Sequence, residues 1–135
     1  VLGHLGYLIF YLAGGLAASA AHIFFNPTST IPSVGASGAI SAALGAYIVM
    51  FPRSQVRTLI FWGFGGFITR VSALLFLGVW FATQLLSGVA SIGNIAQTSG
   101  VAIWAHIGGF VFGLLIGLLF KGKAKNLNFR SHQIY

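Results

Sequence analysis

Four long apolar stretches alternate with short polar or basic breaks along the chain. The first covers about Leu5–Phe25 and ends at Asn26-Pro27, and the second covers about Ser37–Phe51 and ends at Pro52-Arg53. The third covers about Val71–Ser91, and the fourth covers about Val101–Phe120, ending at Lys121, Lys123 and Lys125. Runs of about this length with almost no charge predict membrane-spanning helices. A fifth apolar run, Thr58–Ile68, lies between Arg57 and Arg70. It is too short to span and reads as an interfacial or re-entrant piece. The fold class expected is an all-α membrane protein, a polytopic bundle of helices.

Composition agrees with this pattern. The 135 residues are 57% hydrophobic and 5% charged, with a mean hydropathy of +0.93. Seven basic residues and no acidic ones give a net charge of +7. On a soluble chain that excess would point to nucleic acid, but here its placement explains it. If the four long stretches span and the short one does not, Arg53, Arg57, Arg70, Lys121, Lys123, Lys125 and Arg130 all fall on one face. The positive-inside rule makes that face cytoplasmic. Both termini are then inside, and the loops Asn26–Ala36 and Ile92–Gly100 face outward. The first residue is Val1, close to an apolar run and without a basic leader, so the chain reads as a fragment without a signal peptide.

The residues that are absent exclude much chemistry. Without cysteine there is no disulfide, thiolate nucleophile or thiolate metal site. Without Asp or Glu there is no carboxylate metal site, no paired-carboxylate acid–base chemistry and no Ser-His-Asp triad supplied by this chain alone. A metal held by His22 and His106 would lack a third ligand. His4, His22 and His132 are read as bystanders, and Trp62, Trp80 and Trp104 as interfacial anchors or core. Trp80 and Phe81 are read as packing or lipid-facing.

Small residues recur at four-residue spacing on two segments. Ser37, Ser41 and Gly45, beside Gly38, Ala42 and Ala46, form one stripe, and Gly109, Gly113 and Gly117 form another. Such stripes let helices approach closely in lipid, so the second and fourth segments are expected to pack together. His106 lies on the same face as Gly109 and Gly113. Sixteen residues separate Ser37 from Arg53, roughly 24 Å of helix against a hydrocarbon core of about 30 Å. Ser37 is therefore expected a little below the outer surface. Fifteen residues separate His106 from Lys121, roughly 22 Å, which sets the histidine at nearly the same depth. A serine within reach of a histidine is the minimal activated nucleophile.

Taken alone, Gly35-Ala36-Ser37-Gly38 is a weak motif in a glycine-rich chain, and it does not fit the G-x-S-x-G elbow of the α/β-hydrolases. Together, "GASGAIS" and "AHIGGF" resemble the rhomboid family of intramembrane serine proteases. The first matches that family's G-x-S-G motif at Ser37, and the second its A-H-x-x-G motif at His106 and Gly109. "GHLGYLIFYLAGGLAA" and "FFNPTSTIPSVGASGA" are similar to the helix and loop before the serine in many bacterial members. The similarity spans about Leu2–Lys121. It implies a six-helix core of which four helices are here, with a partial protease domain over 1–125 and a cytoplasmic tail over 126–135.

The resemblance also implies a Ser37–His106 dyad that cleaves transmembrane segments of other membrane proteins without metal or cofactor. Gly35, Gly38, Ser41, Gly45, Gly109 and Gly113 would be packing residues around it. The backbone N–H of Ser37 would help to bind the oxyanion, with further donors on an earlier helix. The setting implied is the lipid bilayer of a bacterial inner membrane. Some members carry an aromatic one turn after the serine, stacked on the histidine. Here that position is Ser41, which leaves the orientation of the imidazole open. The alternatives are an inactive rhomboid-like protein that binds transmembrane helices, and a transporter or channel subunit.

Overall fold

The structure, a computed structural model, describes residues 1–28, 36–91 and 101–131. It contains four helices, α1 (Gly3–Phe25), α2 (Ala36–Met50), α3 (Ala73–Ser91) and α4 (Val101–Ser131). Between α2 and α3 lies a hairpin of β1 (Gln55–Trp62) and β2 (Gly65–Ser72). α1 and the Ile103–Asn126 part of α4 are long and apolar enough to cross a membrane. α2 is apolar but has only 15 residues.

Glycine contacts fix how the helices pack. A Cβ placed on Gly109 would strike the Gly38 carbonyl, one on Gly113 the Ala42 backbone, and one on Gly117 the Ala46 backbone at 2.9 Å. The offset between partners is 71 residues each time, so α2 and α4 run parallel and in register for two turns. Gly45 faces the Phe110 carbonyl in the same seam. α1 runs antiparallel to both. Its Gly14 lies against Ala42, its Ala18 against Gly38, and its Ala21 against Gly108. Lipid tails are as apolar as leucine, so burial in a membrane gives helices little reason to associate. Close backbone approach supplies the dispersion contacts instead.

Two apolar clusters flank this seam. Phe10, Ala42 and Ala46 join α1 to the pair, with Phe112 and Ile116 packed against them. Ile48, Leu77 and Phe110 join α3 on the other side, with Trp80 and Phe81 beside them. α3 turns Ala73, Leu77, Trp80, Phe81 and Gln84 inward, the spacing of one helical face. Large apolar side chains point outward over much of the surface, among them Leu8, Leu12, Leu16, Phe24, Leu75 and Leu86. That is the surface of a protein whose solvent is lipid.

The Thr58–Ile68 run forms most of an antiparallel hairpin, paired from Gln55 opposite Ser72 to Trp62 opposite Gly65, so the fold is mostly helical rather than all-α as expected. Gly63 takes φ +59° at the first turn position, where a two-residue turn of this kind favours glycine. An Ala73 N–H donated to the Ser54 carbonyl at 2.9 Å ties the base of the hairpin to the start of α3. α4 also runs past its apolar part, through the lysine cluster to Ser131. Residues 126–131, expected as tail, are therefore helical. No proline or glycine follows Gly122 to stop the helix, and the lysines there are good helix formers.

The seam can be tested by adding one methyl group. Gly113→Ala, whose Cβ meets the Ala42 backbone, should lower stability by about 1–3 kcal/mol. Gly78→Ala, with nothing within 4 Å of its Cβ, should be neutral or slightly stabilising. Unfolding in mixed SDS micelles compares the two, and equal stabilities would contradict the register.

Candidate active site

Ser37 is the second residue of α2, half-buried, and its neighbour Gly38 sits at the first contact of the seam. A Cβ on Gly38 would lie 3.5 Å from the Ala105 carbonyl, directly before His106 in α4. The constant offset sets Ser37 level with Gly108, so His106 lies about two residues nearer the N-terminal ends of the parallel helices, a difference of ~3 Å in height. Glycine at 38 and 109 is what permits this approach. A side chain at 109 would push apart the helices that carry the serine and the histidine, and one at 38 would drive into Ala18 of α1. Gly35, the first residue of the serine motif, lies outside the described residues, as do the loop 92–100 and most of the loop before α2.

Ser41 lies one turn after Ser37 and is 1% exposed. Its hydroxyl donates to the Ser37 carbonyl at 2.9 Å, a bond within its own helix. A hydroxyl bonded to its own helix offers no ring to stack on the imidazole. Among the described residues, α3 brings two groups to His106. Its Nδ1 lies 2.9 Å from Oε1 of Gln84, and its ring lies 6.0 Å from that of Trp80, tilted by 45°. Phe81 stacks on Phe110 at 4.2 Å, which holds this part of α3 against α4. Trp80, expected as packing or lipid contact, thus packs beside the histidine. Gln84 was not singled out by sequence. The signal available was the one amide side chain in a largely apolar helix, where an unpaired polar group is costly.

The remaining histidine of this region, His22, is buried one turn beyond Ala18. Its carbonyl accepts the Asn26 N–H at 2.9 Å and closes α1. Among the described residues, its Nδ1 has no hydrogen-bond partner. Trp104 stacks on Phe25 at 3.9 Å and joins the end of α1 to the first turns of α4, close to His106. No group of three or more potential metal-ligating residues occurs among the described residues.

The sequence model of the Rhomboid domain matches residues 1–123. The chain belongs to the rhomboid family. It is an integral membrane protein, in keeping with its family and with two helices long and apolar enough to span a bilayer. No individual curated protein and no solved structure matched it. Rhomboid family members are generally serine intramembrane proteases that act on transmembrane substrates. In this rhomboid chain, the region of Ser37 and His106 is built by α2 and α4 and flanked by α1 and α3.

The fit around Ser41 gives a prediction. Ser41→Ala loses one intrahelical bond and should change stability by no more than about 1 kcal/mol. Ser41→Phe must force a ring into filled space and should cost about 1–3 kcal/mol. Thermal denaturation in detergent measures both. A phenylalanine variant as stable as the parent would show room beside the imidazole that the packing here denies.

Proposed function

We propose that this rhomboid protein is an intramembrane serine endopeptidase in which Ser37 is the nucleophile and His106 the general base. The observation that supports it most is the contact of Gly38 with Gly109, because it implies that the two motif residues lie within about 3 Å in height on adjoining helices. The family match over residues 1–123 supports the reaction class.

In this reading His106 takes the proton from Ser37 Oγ as the oxygen attacks a peptide carbonyl of the substrate. The substrate is a transmembrane segment of another membrane protein. It must unwind locally, since a helical carbonyl is already engaged in hydrogen bonding. The first turn of a helix directs its N–H groups out of the N-terminal end, and Ser37 belongs to the first turn of α2. Its backbone N–H therefore serves the oxyanion, aided by the positive end of the helix dipole. His106 next protonates the leaving amine, and a water activated by the same imidazole releases the acyl group. Neither step calls on a carboxylate, in a chain that contains none.

The topology that serves this reaction is multi-pass. The basic residues lie on the cytoplasmic side, and Ser37 lies a little below the outer surface, where water can reach it. Similarity to the helix and loop of bacterial members favours a bacterial inner membrane as its location.

Ser37→Ala and His106→Ala, each in the protein expressed at full length, should lower cleavage of a reporter transmembrane substrate by at least about a thousandfold. Immunoblotting of reporter fragments in membranes checks this. Undiminished cleavage in either variant would refute the assignment.

A further inference from the structure

The dyad proposed above needs an imidazole with a lone pair on the nitrogen that faces the serine, and no carboxylate is present to set that tautomer. We propose that Gln84 does so, as a positioning residue that holds the Nδ1 proton of His106 and leaves Nε2 as the base. This inference rests on the proteolytic reading for its catalytic consequence, although not for the tautomer itself.

Geometry and chemistry both point to it. Gln84 Oε1 is 2.9 Å from His106 Nδ1, between residues of different helices. An amide oxygen can only accept a hydrogen bond, so Nδ1 is the donor and carries the ring proton of the neutral imidazole. The other nitrogen then has a free lone pair. The reverse assignment, with the amide NH2 donating to Nδ1, would put the proton on Nε2 and disable the base. Gln84 is also held in place. It lies one turn beyond Trp80 on the inward face of α3, and Trp80 packs beside the His106 ring. Phe81 stacked on Phe110 fixes the helix on which both ride.

The carboxamide does the orienting work that a buried carboxylate does in a triad, without adding charge in a low-dielectric site. It also accounts for the absence of an aromatic at position 41. Ser41 bonds to its own helix, and the imidazole is aligned by α3. Because α3 carries the group that sets the tautomer, a displacement of α3 away from α4 would leave the Nδ1 proton without its acceptor.

The test uses the protein expressed at full length, labelled with 15N-histidine, in detergent micelles or lipid nanodiscs. His106 signals are identified by their loss in His106→Ala and read at a pH where the ring is neutral. The parent should show Nδ1 protonated and Nε2 bare. Gln84→Met, apolar and of similar length, should lose that preference. A parent protonated on Nε2, or the same tautomer in Gln84→Met, would overturn the proposal. Kinetics supply a second arm. Gln84→Met should lower kcat by on the order of tenfold or more, with KM nearly unchanged. Gln84→Glu, which keeps an acceptor oxygen at the same reach, should restore most of it. An unaltered kcat in Gln84→Met, or no rescue by Gln84→Glu, would also overturn it. If the parent shows the expected tautomer and cleaves nothing, the proteolytic reading fails while the assignment of Gln84 stands.

Discussion

The structure depends on the contact of two helix backbones with nothing between them. Gly109, Gly113 and Gly117 of α4 lie on Gly38, Ala42 and Ala46 of α2, and each step of four residues repeats the contact. In water such an interface would be a weak one, since glycine buries little apolar area. In lipid the comparison differs, because leucine gains nothing by leaving the acyl chains and atoms in close contact gain dispersion energy. The seam also acts as a ruler. Parallel helices locked at a constant offset cannot slide without driving a Cβ or a carbonyl into the opposite backbone, so Ser37 and His106 are held at fixed relative heights.

Each surrounding element then has a definite task. α1 closes one flank through Gly14, Ala18 and Phe10, and its end is tied to α4 by the Phe25–Trp104 stack. α3 closes the other flank and brings Trp80 and Gln84 to the histidine. The two flanks differ in chemistry. The α1 side is small and apolar near the seam, whereas the α3 side is aromatic and carries an amide. In the reading proposed here, α1 supports the nucleophile and α3 aligns the base.

Much of the helical frame was legible because lipid imposes simple rules. Charge breaks and prolines mark the apolar segments, and the helices begin and end within a few residues of them, apart from the long end of α4. The stripes of small residues were visible, at Ser37, Ser41 and Gly45 beside Gly38, Ala42 and Ala46 and at Gly109, Gly113 and Gly117, but which row meets α4 was not: the backbone contacts fall on Gly38, Ala42 and Ala46, with Gly45 joining them. The hairpin was less legible. Thr58–Ile68 lacks strict alternation, and its strands extend beyond the run into polar residues at both ends. The role of Gln84 was also hidden. α3 carries large apolar residues on every side, so periodicity does not distinguish its inner face, and only three-dimensional packing shows which residues meet His106. A polar residue inside an apolar span was nonetheless a signal, because its burial requires a partner.

The coupling of Ser37 to His106 is the central claim, and covalent trapping reaches it most directly. The protein expressed at full length would be treated with a fluorophosphonate in membranes, and the modified peptide identified by mass spectrometry. The account predicts an adduct on Ser37, absent from Ser41, that disappears in His106→Ala. An adduct that forms equally well without His106, or a protein never modified at Ser37, would contradict it.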